Sequence, residues 1–251
     1  MAVVHFPLKL VSKRMLAPSV AHFSFVRDDG APLDFIPGQF VQVHFHYADG
    51  TATKRSYSLA TIHDHALGAG EAVEMAVSYV AGGAATALFE NLPMGDTIQA
   101  SGPYGRFCLM PQDVNARYLL VGTGTGVTPY RAMLPQIAHL IATRDIEVAL
   151  LFGARNAGEL LYGDEFRAFA DAYPKNFRFM PCFSRELPID AHPDARRGYV
   201  QDQLEALAPD PARDIAYLCG NPNMVDACFE RLKGFGLPVP QVRREKYVSS
   251  K

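Results

Sequence analysis

The stretch GTGTGVTPYRAML, residues 122–134, sets three glycines within five residues, directly after the apolar run Tyr118-Leu119-Leu120-Val121 and directly before an apolar-periodic segment. A strand that enters a glycine turn and leaves as a helix aims several backbone N–H groups, and the positive end of the helix dipole, at one point. Such a point suits an anion. The spacing is neither the G-x-G-x-x-G of the dinucleotide fingerprint nor a loop ending in Gly-Lys-Ser/Thr. A tight glycine turn without a ligand is the competing reading of the same residues.

Working outward, the chain changes grammar near Pro111. Before it, strand-like runs at residues 6–15, 20–27, 39–45, 55–61, 73–80 and 97–101 are separated by Gly, Pro and Asp turns, with one helical interruption near 86–91. Six short strands of this kind predict a small antiparallel barrel. After it, strand-like runs at 118–121, 147–152, 177–183 and 215–219 alternate with helical stretches at 129–141, 158–172, 200–208 and 222–235. That alternation predicts an α/β domain with a parallel sheet. The expected domains are therefore 1–111 and 112–251. Ligands of open parallel sheets lie beyond the C-terminal strand ends, where both the glycine run and Cys219-Gly220-Asn221-Pro222 fall.

The composition narrows the function classes. With 49% hydrophobic and 20% charged residues and a formal net charge of −2, the chain has no electrostatic footprint for nucleic acid or an anionic membrane. No run reaches the roughly 18 apolar residues of a membrane span, and a cytoplasmic location is expected. Cys108, Cys182, Cys219 and Cys228 lack the paired spacing of zinc or iron–sulfur sites, so no metal is expected and each defaults to a buried small hydrophobe. His44 and His46, like His63 and His65, alternate without carboxylate or cysteine partners, and they are read as surface or packing residues.

Four segments in this order resemble the ferredoxin–NADP⁺ reductase family: R-S-Y-S at 55–58, G-x-x-T at 83–86 followed by L-P-M-G-D at 92–96, G-T-G-T-G-V-T-P-Y-R at 122–131, and C-G-N-P at 219–222. The resemblance covers essentially the whole chain. It implies a Greek-key barrel that binds FAD, followed by a domain for a nicotinamide nucleotide. On that resemblance Arg55 would pair with the FAD pyrophosphate, as a guanidinium fork suits phosphate oxygens. Tyr57 would stack on the isoalloxazine and Ser58 would bond near flavin N5, with Ser56, Val77 and Tyr79 in the same site. Gly83, Ala84 and Thr86 would add a second anion nest at a helix start. Taken alone, Arg55 and Tyr57 read equally as a solvated face with a packed ring, and Thr86 as a helix cap.

The resemblance assigns Gly122, Thr123, Gly124, Thr125 and Pro129 to the transient nicotinamide nucleotide, together with Gly220, Pro222 and Met224. Cys219 would sit against nicotinamide C4, positioning the hydride rather than attacking as a nucleophile. Ser184 and Arg185 match the family's S-R-E, whose Ser and Arg hold the 2′-phosphate of NADP(H); Arg155 is a third candidate, and Tyr199 would stack on adenine. Many bacterial members carry Arg where Tyr199 stands, and G-Y-V also recurs in NADH-using oxygenase reductases. NADPH is the expected donor, with Arg196 and Arg197 as compensating cations or solvated ones.

At the C-terminus, Arg243 to Lys251 resembles members whose short tail passes the flavin, which puts Glu245 and Tyr247 with Ser58 and Cys219 in the catalytic set. A sheet strand with a frayed end is the alternative. A basic recognition surface including Arg243, Arg244 and Lys246 is a further expectation. The expected function is a monomeric FAD-dependent NADP(H) oxidoreductase exchanging single electrons with ferredoxin or flavodoxin. Two rivals remain: an NADH-dependent oxygenase reductase component or free-flavin reductase, and a non-catalytic flavin-binding subunit of electron transfer or regulation.

Overall fold

A computed structural model describes residues 4–248 of the chain. It divides into two compact units: residues up to Cys108 together with Thr128–Pro135, and Leu109–Val127 together with Gln136–Val248.

The first unit contains β1 (His5–Ala17), β2 (Val20–Arg27), β3 (Phe40–His46), β4 (Ala52–Ser58), β5 (Val73–Ser78), α1 (Ala84–Asn91), β6 (Thr97–Tyr104) and α2 (Thr128–Ala132). Its strands pair antiparallel in the order β4-β3-β6-β1-β2-β5. The residue after β4 returns to the far edge: Leu59 bridges Met75, and Ala60 N–H donates to Glu74 O at 2.7 Å. Alternate residues, among them Phe6, Leu8, Phe23, Phe25, Val41, Val43 and Met75, fill the interior, as the period of two requires.

The strand expected at 55–61 lies three residues earlier. A hairpin turn, in which Gly50 takes φ +82° and Tyr47 N–H donates to Thr51 O, starts β4 at Ala52, and the chain leaves the ladder after Ser58. The helix expected at 129–141 is broken at Met133 into α2 and α3 (Leu134–Arg144). Pro135 has no N–H to offer the Arg131 carbonyl one turn back. The break leaves Thr128–Pro135 grouped with the barrel, where Tyr130 packs on Phe107 and Arg131 donates to Ala60 O at 2.6 Å.

The second unit holds β7 (Arg117–Thr123), most of α3, β8 (Glu147–Ala154), α4 (Gly163–Ala172), β9 (Phe177–Phe183), β10 (Arg196–Arg197), β11 (Asp214–Gly220), α5 (Pro222–Gly234) and β12 (Val242–Lys246). All six strands are parallel, in the order β10-β9-β8-β7-β11-β12. The order reverses between β7 and β11, a switch point of the kind that opens a ligand crevice at the C-terminal strand ends. Below it, Arg117 grips the fully buried Asp214 with two bonds of 2.8 and 2.6 Å.

Two helical expectations change here. The helix at 158–172 begins at Gly163, because Tyr162 adopts φ +55°, and only a short 3-10 turn occupies Ala157–Glu159. The helix at 200–208 is two 3-10 turns, Val200–Gln203 and Glu205–Leu207, ended by Ala208 at φ +44° before Pro209. β10 was not expected from the sequence, and the tail proves to be a strand over Val242–Lys246; residues 249–251 lie outside the described ones.

Candidate functional site

In the barrel, β4 turns Thr53, Arg55 and Tyr57 to one half-buried face and exposes Ala52, Lys54 and Ser56 on the other. Ser58 departs from this alternation and is buried, because the strand ends there and the chain dives inward at Leu59. The Arg55 guanidinium is held in place: it donates to Thr53 Oγ1 and Lys54 O, both at 2.9 Å, and to Tyr47 Oη at 2.9 Å. Tyr47 and Thr53 are support residues that the motif reading missed; their hint was the period-two spacing of Thr53 from Arg55. Tyr57 meets Phe89 of α1 edge-on with ring centroids 5.2 Å apart. Burial pushes the Tyr57 phenol up, the nearby Arg55 charge only partly opposing it, so the ring stays a neutral apolar surface.

At the start of α1, Thr86 Oγ1 accepts from Val80 N–H at 2.7 Å, which ties the turn shut. A Cβ on Gly83 would lie 3.0 Å from Val80 O and 3.3 Å from Thr86 Oγ1, so the backbone is bare at that point for lack of room. The Val77 side chain lies in the barrel core and is not presented to a ligand, whereas Tyr79 is half-buried with its hydroxyl enclosed and unpartnered among the described residues. Thr128 Oγ1 is likewise buried and unpartnered there. A fixed guanidinium, an apolar ring, a bare helix start and orphaned hydroxyls in one unit fit a ligand that joins an aromatic ring system to phosphate, as FAD does.

In the second unit the two sequence motifs meet at the switch point. Cys219 is in register with Gly122, and Thr123 Oγ1 accepts from Asn221 N–H at 3.1 Å. The glycines are steric necessities: a Cβ on Gly126 would stand 2.3 Å from Cys219 O, and one on Gly220, at φ +125°, 2.6 Å from Thr123 O. Thr123, Gly124 and Thr125 remain at the surface in a 3-10 turn over Gly124–Val127. The long helix expected to follow this turn in sequence is not formed: the segment Thr128–Ala132 is a helix of five residues, so the dipole anticipated there is short.

Half of the C-G-N-P motif has a plain structural account. Asn221 caps α5, its Oδ1 accepting from Asn223 N–H at 2.9 Å and Met224 N–H at 3.3 Å, and Pro222 occupies the first turn, where its missing N–H costs nothing. The Met224 side chain packs in the core against Cys228, which removes it from the set that can touch a nucleotide. Pro129 is buried as well.

Cys219 is fully buried. Burial pushes its thiol well above the ordinary value, the Glu245 charge pushes it further, and a Tyr247 hydrogen bond only partly offsets both. A thiol so held stays protonated and is a buried packing group rather than a nucleophile. Its neighbours come from β12, where Glu245 is in register with Cys219 and Tyr247 N–H donates to Gly220 O at 2.8 Å. The rest of that strand does not form the expected open basic surface. Arg243 pairs with the buried Asp113 at 2.5 Å, Arg244 lies 3.8 Å over the Phe229 ring, and Lys246 pairs with Asp226 at 2.7 Å.

A separate corner forms at the ends of β8 and β9. Ser184 N–H donates to Ala154 O, and the N–H groups of Arg185 and Glu186 both donate to Arg155 O. β10 then brings Gly198 alongside, its N–H donating to Phe183 O at 2.9 Å, and the next residue, Tyr199, is 60% exposed. Arg155, Ser184, Arg185 and Tyr199 thus all lie on segments that leave the C-terminal ends of β8, β9 and β10, the end at which open parallel sheets take ligands. The sequence reading missed Glu159, which binds Arg155 from both carboxylate oxygens. His44 bonds Ser101 Oγ at 2.7 Å, while His65, against the expectation of no carboxylate partner, lies between Asp64 and Glu71, the latter brought back to it from six residues along the chain.

Comparison with known proteins agrees with this two-part layout. The chain matches the model for the oxidoreductase FAD-binding domain over residues 7–108 and that for the oxidoreductase NAD-binding domain over 120–230. It is 36% identical over 250 residues to a protein named ferredoxin–NADP reductase B from Sorangium cellulosum, covering 96% of this chain and 97% of that one. It is also 32% identical over 222 residues to the reductase component of propane 2-monooxygenase from Rhodococcus jostii, covering 87% of this chain but 57% of that protein. Among solved structures, a cytochrome P450 reductase from Amycolatopsis superposes with a TM-score of 0.82 at 29% identity, over 97% of this chain and 70% of that one. Among the described residues, no helix is long and apolar enough to cross a membrane.

Proposed function

Because the chain belongs to the ferredoxin–NADP⁺ reductase family, with FAD as its cofactor and a nicotinamide dinucleotide as its substrate, we propose that it is an NADPH-dependent reductase exchanging single electrons with a separate ferredoxin or flavodoxin, and that it works as a cytoplasmic monomer. The observation that carries this reading is the 36% identity sustained over nearly the full length of both this chain and the Sorangium reductase. FAD, when bound, supplies the conversion between hydride and single-electron chemistry.

The residues divide the remaining work. Arg55, fixed by Tyr47 and Thr53, holds the FAD pyrophosphate together with the bare backbone of Gly83, Ala84 and the Thr86 turn. Tyr57 supplies a neutral ring for the flavin to pack on, and Ser58 and Tyr79 offer hydroxyls in the same unit, whereas Ser56 is turned to the opposite face of β4. Gly122, Thr123, Gly124, Thr125 and Gly220 receive the pyrophosphate of the nicotinamide nucleotide on backbone N–H groups. Cys219, held protonated beside Glu245 and Tyr247, shapes the nicotinamide seat without entering the chemistry. Ser184 and Arg185, with Arg155, bind the 2′-phosphate, and Tyr199 covers the adenine.

A second reading, a reductase component feeding an oxygenase from NADH, draws on the 32% identity to the propane 2-monooxygenase reductase and on exposed Tyr199, which offers no positive charge. Steady-state kinetics with NADPH and NADH on wild type and Arg185→Ala separates the two. The first reading expects KM for NADPH to rise about tenfold, the worth of one charge-assisted hydrogen bond, while KM for NADH stays put. An NADH preference that Arg185→Ala leaves untouched would overturn it.

A further inference from the structure

Arg155 is held at both its backbone and its side chain. Its carbonyl oxygen accepts from both Arg185 N–H and Glu186 N–H, at 3.0 and 3.2 Å, which fixes its backbone. Its side chain is gripped side-on by Glu159, with Nε to Oε2 at 2.7 Å and Nη2 to Oε1 at 2.5 Å. Glu159 is itself anchored, in the 3-10 turn Ala157–Glu159 where its N–H donates to Asn156 O, and its side chain is three-quarters covered. A guanidinium has two forked edges. Occupation of the Nε–Nη2 edge leaves the Nη1–Nη2 edge without a partner among the described residues and fixed in direction.

We propose that Glu159 is a positioning residue for nucleotide selection: it orients Arg155 so that the free fork is presented, ready formed, to the 2′-phosphate of NADP(H). The inference rests on the reading that Arg155, Ser184 and Arg185 form the 2′-phosphate corner. Its physical content is that an unrestrained arginine must give up rotamer freedom when it binds, whereas this one has done so beforehand. The Glu159 carboxylate also subtracts one charge from the corner, and the two effects predict opposite signs for its removal. Orientation wins because the carboxylate occupies the adjoining Nε–Nη2 edge and leaves the presented fork open, while an unheld Arg155, half exposed, would swing into solvent.

The test is calorimetric titration of the FAD-loaded protein with adenosine 2′,5′-bisphosphate and with 5′-AMP, for wild type, Glu159→Ala, Glu159→Gln and Arg185→Ala. The expected result is about tenfold weaker bisphosphate binding in Glu159→Ala and unchanged 5′-AMP binding. Glu159→Gln, which keeps an amide oxygen for one Arg155 N–H, should recover most of the loss. The flavin spectrum should be the same in all. Tighter bisphosphate binding in both Glu159 variants would make the carboxylate a competitor and overturn the proposal. Unchanged affinity, or equal weakening of both probes, would overturn it too. Failure of the underlying reading looks different: wild type would bind both probes equally and Arg185→Ala would change neither.

Discussion

The Glu74 carboxylate lies among His22, at 3.3 Å, Ser24, at 3.5 Å, and Arg131, at 2.6 Å, with Arg131 also bonded to Ala60 O. The side chains of His22 and Arg131 are only 4% and 10% exposed, and that of Glu74 21%. Burial alone would raise the Glu74 carboxyl; hydrogen bonds from His22 and Arg131 outweigh it and hold the group at about 2 instead of 4.5. At about 1.4 kcal/mol per decade of displacement, linkage puts the stabilisation near 3 kcal/mol at neutral pH, an upper value since some solvent reaches the carboxylate. The sign follows from a depressed acid. The stabilisation is fully present above 4.5, the ordinary value, and is lost as pH falls from there through about 2. Glu74→Gln should therefore lose about 3 kcal/mol at pH 7, in keeping with the cost of stranding one member of a buried pair. The gap from wild type should shrink to under half by about pH 3. Urea unfolding followed by far-ultraviolet circular dichroism at a series of pH values measures it. A gap below about 1 kcal/mol at pH 7, or one that does not change with pH, would refute the reasoning.

Three further outcomes are expected. Gly126→Ala forces a Cβ to 2.3 Å from the Cys219 carbonyl, so the two turns must part; affinity for the nicotinamide nucleotide should fall by at least tenfold while FAD stays bound, measured by titration and by the flavin spectrum. Asn221→Ala removes the oxygen that caps α5 and should cost about 1 kcal/mol, read as a lowered urea midpoint. Native Cys219, fully buried with its thiol raised, should resist iodoacetamide at pH 8 and react only after unfolding; rapid labelling of the folded protein, located by peptide mass, would contradict the positioning role.

What was legible in the sequence is what local chemistry writes there. Arg55 and Tyr57 share a face because strands alternate, and the glycine run announces a strand end because little else tolerates such a turn. The less legible features depend on partners far along the chain. Arg131 reads as an ordinary helical cation until Glu74, 57 residues away, is beside it. The strand Val242–Lys246 alternates in burial but not in apolar residues, and the partners of its cations, Asp113, Phe229 and Asp226, are all distant in sequence. The steric need for Gly126 and Gly220 exists only where two turns touch. Helix lengths failed for a different reason: an apolar period persists through 129–141, but Pro135 breaks the hydrogen-bond ladder without altering that period.

The central claim, reduction of bound FAD by NADPH in preference to NADH, is tested most directly by anaerobic stopped-flow mixing of the FAD-loaded protein with each nucleotide while the flavin absorbance is followed. The account predicts that the flavin bleaches with both and that NADPH half-saturates the rate at roughly a tenfold lower concentration, the worth of the 2′-phosphate contacts. A flavin that never bleaches, or one that NADH reduces at the lower concentration, would contradict it.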